Sequence, residues 1–176
     1  MDIIKELEND EGRRYFISKE SIEFIIRLMK LNKVRNVLEI GTAKGYSTIL
    51  LAKNCERVTS IEKYEEQFNQ AEKNVKASNL KNIKLRLGDA LTVLEDINKK
   101  FDLVFIDADK GEYFEYFKKS WDLVNENGLV IFDNTVSHRK YLTELLEYIK
   151  QFDYLDLDIG KGLIVVYKKI NLPRME

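Results

Sequence analysis

Two short runs, FIDADK (residues 105–110) and FDN (residues 132–134), place Asp107, Asp133 and Asn134 just past stretches of apolar and β-branched residues. If those stretches are adjacent strands, two carboxylates and an amide meet at one sheet edge, where open α/β sheets bind ligands. Three oxygen donors suit a hard divalent cation such as Mg²⁺, Mn²⁺ or Ca²⁺ and leave coordination positions for water or substrate.

A second group of residues reads as a nucleoside site. VLEIGTAKGYST (residues 37–48) joins an apolar run to a helix-like run through a turn that carries Glu39, Gly41 and Gly45. Glycines there permit positive φ and close approach of a ligand, and the unpaired N–H groups of a helix start favour negative charge. The pyrophosphate fingerprint needs G-x-G-x-x-G, and Ala43 occupies its second glycine position, which argues against a dinucleotide. Glu62 follows Gly41 by 21 residues, where a carboxylate accepts from both ribose hydroxyls. LRLGDA then supplies Gly88, Asp89 and Ala90, an acid for an exocyclic amine and small residues for a flat ring. Ribose, base and a charged tail without pyrophosphate describe S-adenosylmethionine.

The elements that must hold these groups follow from periodicity. Strands are expected at 36–40, 57–61, 83–87, 103–107, 129–132, 155–158 and 163–168, with helical runs between them, so the class is α/β with a mainly parallel sheet. Ser18 is a plausible N-cap for a helix whose stripe is Ile22, Ile25, Ile26 and Met29. Only IGKG separates the last two strands, too short for a parallel crossover, so they form an antiparallel hairpin. At 176 residues the chain reads as one domain, 1–32 forming an N-terminal helical cap and 33–170 the core; Pro173, the sole proline, falls in the tail.

Charge excludes rather than selects. Lys and Arg number 29 against 30 Asp and Glu, so nothing in the balance favours a nucleic-acid or membrane partner. No apolar run approaches the roughly 18 residues of a membrane span. The lone Cys55 cannot form an internal disulfide and the N-terminus lacks a secretory pattern, so a cytoplasmic protein with a reduced structural thiol is expected. Tyr113, Phe117 and Trp121 fall at helical spacing and are read as core, Asp109 as a capping or solvated acid, and His138 as a cap or solvated residue before the last helix.

From about Tyr15 to Lys168 the chain resembles the class I methyltransferases, and within them metal-dependent O-methyltransferases similar to catechol and caffeoyl-coenzyme A O-methyltransferases and their bacterial relatives. VLEIGTAKGYST, FDLVFIDADKGEYFEYF and NGLVIFDNT carry the likeness. The resemblance implies a Rossmann-like, doubly wound, seven-stranded sheet with an antiparallel C-terminal hairpin and helices on both faces. It implies that Glu39, Gly41 and Ser47 line the methionine end of the cofactor, that Glu62 holds the ribose, that Asp89 and Ala90 frame the adenine and that Ile17 covers it. It makes Asp107, Asp133 and Asn134 the metal site and Lys110 the general base, a role that a neighbouring divalent cation assists by disfavouring the ammonium form. Relatives usually carry more N-terminal residues and a longer insertion after the DN pair, so the acceptor pocket here is expected to be more open. A small hydroxylated acceptor is the leading expectation. A hydroxyuridine of transfer RNA on the same scaffold and a non-catalytic cofactor-binding domain are the alternatives, and a homodimer is implied by analogy.

Overall fold

The computed structural model describes residues 3–10 and 16–169. Tyr15, where the resemblance begins, and Pro173 lie outside them. Seven strands form one sheet in the order β3-β2-β1-β4-β5-β7-β6. These are β1 (Asn36–Ile40), β2 (Arg57–Glu62), β3 (Ile83–Leu87), β4 (Phe101–Ile106), β5 (Val124–Asp133), β6 (Asp153–Leu157) and β7 (Leu163–Tyr167). The first five pair in parallel, and β7 runs antiparallel to both β5 and β6. The hairpin expected from IGKG is present, with its second strand inserted between β5 and β6.

Alternation along the strands divides the core in two. Val37, Leu103, Phe105, Leu129, Ile131 and Val165 pack with helices α1 (Ile3–Glu8), α2 (Lys19–Leu31) and α3 (Tyr46–Ala52). Leu38, Val104, Ile106, Val130, Phe132 and Val166 face the other way, against α5 (Ala90–Val93), α6 (Tyr113–Trp121) and α7 (Thr143–Ile149). Helix α4 (Glu65–Ala77) contributes Val75 to the first layer and crosses from β2 to β3. Strands apolar on both sides are what a helix-covered parallel sheet requires. Ser18 caps α2 as expected, accepting from Ser21 N at 3.0 Å.

Strand β5 begins five residues before the expected Leu129. NENG carries the composition of a turn, yet Val124 pairs with Phe101 and the register shifts between Phe101 and Leu103, so the polar residues ride in an irregular strand start. Asp102 stitches that corner, accepting from Arg35 N and Asn36 N at 2.9 Å and from Asn125 Nδ2 at 2.7 Å. The sheet order doubles back between β1 and β4, and at such a switch point the C-terminal strand ends leave a crevice.

Candidate active site

That crevice is a cavity of about 850 Å³, in the upper part of the ~300–1,000 Å³ range of small-ligand sites. Gly41, Glu62, Gly88, Asp107 and Asn134, from the ends of five consecutive parallel strands, all line it.

On the β1–β2 side the acids are held by the chain itself. Glu62 is buried; its Oε2 accepts from Ala43 N at 2.8 Å and its Oε1 from Tyr64 N at 2.9 Å, which fixes the carboxylate in the cavity wall. Parallel register places Ser60 beside Glu39. Ser60 Oγ donates to Glu39 Oε2 at 2.5 Å, Thr48 Oγ1 donates to the same oxygen, and Thr42 Oγ1 lies 2.6 Å from Ser60 Oγ. Complete burial pushes the Glu39 carboxyl up to about 7, against the pull of the Ser47, Ser60 and Thr48 hydroxyls. Gly41 has φ +99°, and a Cβ there would sit 2.1 Å from the Asp107 carbonyl oxygen. The glycine is thus required by the close packing of the ends of β1 and β4, a tertiary reason in addition to the ligand approach expected from sequence.

The β4–β5 side is a charged cluster. Lys110 Nζ donates to Asp107 Oδ1 at 2.8 Å and to the Ala108 carbonyl at 2.9 Å. Asp133 is 1% exposed; Asn134 Nδ2 donates to its Oδ2 at 3.0 Å, and its buried Oδ1 has no hydrogen-bond partner. Burial raises the Asp133 pKa, the Asp107 charge raises it further, and Lys110 and Lys161 oppose the shift. Asn134 adopts φ +61°, a left-handed conformation that asparagine tolerates better than most residues. Tyr113 is fully buried core, as its spacing suggested, and also donates from its hydroxyl to the Asp133 carbonyl at 3.0 Å, anchoring the cluster from α6.

Of the residues singled out in the sequence, Gly41, Ser47, Glu62, Gly88, Ala90, Asp107, Lys110 and Asn134 line the cavity together. Four stand apart from its wall. Glu39 and Asp133 lie directly behind it, and Ile17 is core among the α1–α3 layer. Asp89 caps α5, accepting from Leu91 N at 2.9 Å, and pairs with Lys63 at 2.8 Å, which holds its carboxyl below the usual range. Asp109 takes its expected capping role, accepting from Gly111 N, while also facing the cavity. His138 makes no side-chain cap; its Nδ1 lies 2.8 Å from Ser137 Oγ and its ring lines the mouth. Phe16, Tyr46, Gln67, Tyr116, Tyr141 and Lys161 are lining residues that sequence reasoning passed over. Only Lys161 carried a signal, standing between two glycines in a turn at the active edge.

The O-methyltransferase family model matches residues 2–158. The chain belongs to that family. It is 32% identical over 136 residues to a catechol O-methyltransferase of Niastella koreensis, covering 73% of this chain and 62% of that protein. A caffeoyl-CoA O-methyltransferase of Pinus taeda is 30% identical over 162 residues, covering 84% and 62%. The chain therefore spans somewhat less than two-thirds of the length of these relatives. An O-methyltransferase of Bacillus cereus, solved in complex with SAH, superposes with a TM-score of 0.84 at 26% identity over 95% of this chain and 90% of that one. Family and fold thus agree with the resemblance read from the motifs. Among the described residues no helix is long and apolar enough to cross a membrane.

Proposed function

We propose that this chain moves a methyl group from S-adenosylmethionine to a hydroxyl of a catechol-like acceptor, with a divalent cation held by Asp107, Asp133 and Asn134. The observation that carries this reading is the meeting, in one cavity wall, of a preset Glu62 carboxylate with Asp107 and Asn134, backed by the buried Asp133 carboxylate that Asn134 contacts. The names of the relatives support the acceptor class, and the SAH complex of the Bacillus cereus protein supports the cofactor.

The donor set fits a cation on chemical grounds. Among the described residues no three His, Cys, Asp or Glu side chains gather as a metal cluster, so the set is two carboxylates and an amide oxygen. A buried carboxylate oxygen without a partner and a second carboxylate already drawing an ammonium group mark a place that stabilises positive charge. A bound divalent cation supplies positive charge that makes an acceptor hydroxyl more acidic. S-adenosylmethionine supplies the sulfonium methyl.

The chain's own residues do the rest. Glu62 accepts from the ribose hydroxyls, and the turn at Gly41 lays the methionine end towards Asp107. Lys110, which reaches Asp107 from the next loop, takes the hydroxyl proton. The walls hold the acceptor oxygen and methyl carbon in line at about 3 Å, and that positioning carries much of the rate. Tritium transfer from methyl-labelled S-adenosylmethionine to catechol, with Mg²⁺ or EDTA, tests this. Label in catechol that EDTA abolishes is expected. Transfer indifferent to EDTA removes the cation from the mechanism, and SAH binding without transfer to any catechol favours a non-catalytic domain.

A further inference from the structure

The peptide bond between Asp133 and Asn134 joins the two oxygen donors at the end of β5, and its carbonyl is tied to a helix. Tyr113, the first residue of α6, donates to it from its hydroxyl at 3.0 Å, across 20 residues of chain. Asn134 follows with φ +61°, and a left-handed residue other than glycine persists only where its surroundings hold it. Here both flanking carbonyls are held. Tyr113 takes the one before Asn134; His138 N donates to the one after it at 3.1 Å, and Ser137 Oγ donates to the same oxygen at 3.2 Å. Those two peptide planes set the direction in which the Asn134 amide leaves the backbone, and the first of them also sets that of the Asp133 carboxylate.

The ring that carries this hydroxyl is itself fixed against the cluster. Tyr113 has no exposed surface, and its centroid lies 5.5 Å from that of Phe132, the residue before Asp133. On the β4 side, Lys110 Nζ lies 5.3 Å from the Tyr113 centroid, within reach of a cation–π contact, while it donates to Asp107 Oδ1 and the Ala108 carbonyl. Packing alone does not call for the hydroxyl. One turn further along α6, Phe117 fills the same layer as a plain phenyl ring, 5.9 Å from Phe132. A buried tyrosine hydroxyl needs a partner, and the one found here is the peptide that links two of the three donors.

We propose that Tyr113 is a positioning residue for the divalent cation: its hydroxyl fixes the Asp133–Asn134 peptide and with it the relative placement of two of the three donors. The inference rests on the cation reading above and adds a residue that touches neither cation nor acceptor. A group that orients ligands from behind contributes no ligand atom, yet its loss typically weakens metal binding by about 10–100-fold. Because the donors themselves are unchanged, the loss falls on affinity for the cation and not on the rate once the site is filled.

Binding of Mn²⁺ alone, read as loss of the free-ion electron paramagnetic resonance signal well below the melting temperature, tests it. Tyr113→Phe keeps the ring and removes the hydroxyl. It is expected to weaken Mn²⁺ binding by about tenfold and to leave SAH affinity by calorimetry within about twofold. In the transfer assay it raises the Mg²⁺ concentration needed for half-maximal rate, with kcat at saturating Mg²⁺ within about threefold. Phe117→Leu is the control for stability alone: like the loss of a buried hydrogen bond, it lowers the melting temperature by a few degrees, and it leaves Mn²⁺ affinity unchanged. Mn²⁺ affinity that is unaltered in Tyr113→Phe, or reduced as much in Phe117→Leu, overturns the positioning role. The cation reading fails on a different result. Mn²⁺ that the unaltered protein does not bind, or binds equally well after Asp133→Asn, removes the cation from this edge, and the role of Tyr113 falls with it.

Discussion

Glu39 and Asp133 are both buried acids at the ends of neighbouring regions of one sheet edge, and burial raises the pKa of both. Their company differs. Glu39 sits among neutral hydroxyls from Thr48 and Ser60, so its proton is traded within a hydrogen-bond network. Asp133 sits beside a second carboxylate and within the field of two lysines, so its balance is one of net charge. The β1–β2 half is therefore a preorganised polar wall, and the β4–β5 half is a cluster whose charge state depends on which cation it faces. In the proposed function, binding and chemistry divide along the same line.

Breaking the charged half should have the largest effect. Asp133→Asn, close in shape, is expected to lower metal-dependent transfer on the order of a thousandfold while SAH affinity by calorimetry stays within about threefold. Comparable losses in both quantities would dissolve the division between the halves. Breaking the polar wall should show the converse. Glu62→Ala leaves the Ala43 and Tyr64 N–H groups without their acceptor, costing about 1–3 kcal/mol of stability, and SAH binding weakens by about tenfold or more. Retained affinity would remove Glu62 from the cofactor site.

The next effect is one of pH. With its folded pKa near 7 against an ordinary value of 4.5, Glu39 keeps a proton in the folded state that the unfolded chain has released. Stability from this group is therefore highest below about pH 4.5 and falls as pH rises towards 7, by at most about 3 kcal/mol. Glu39→Gln, which cannot ionise, should flatten that decline. Denaturant melts of both proteins from pH 5 to pH 8 that run parallel would show that Glu39 does not titrate in this window. The smallest expected change is that of Ser60→Ala, about 1 kcal/mol, which removes one donor to Glu39 and moves its pKa further up.

Much of this was legible before any coordinates. Strand and helix periods located the seven strands, the bounds of β1 and β3 matching and that of β5 slipping where a polar strand start imitates a turn. Asp107, Asn134, Glu62 and Gly41 were found because strand ends and glycine spacing are local signals. Behind the wall the sequence offered Glu39 and Asp133 but not the partners that hold them. The Thr42–Ser60–Glu39 network depends on parallel register, and the Asp102 bridge joins segments 66 and 67 residues apart.

The sequence by itself determined the α/β class, the antiparallel end of the sheet and the chemical types gathered at its edge, because each is written in periodicities and spacings of a few residues. Only the tertiary structure decided that β7 inserts between β5 and β6, that the carbonyl of Asp107 fills the space a side chain on Gly41 would need, and that Lys161 faces the same cavity as Lys110. These depend on which strands lie side by side, and that choice is made by burying both faces of the sheet at once, an energy summed over the whole chain that no short window contains.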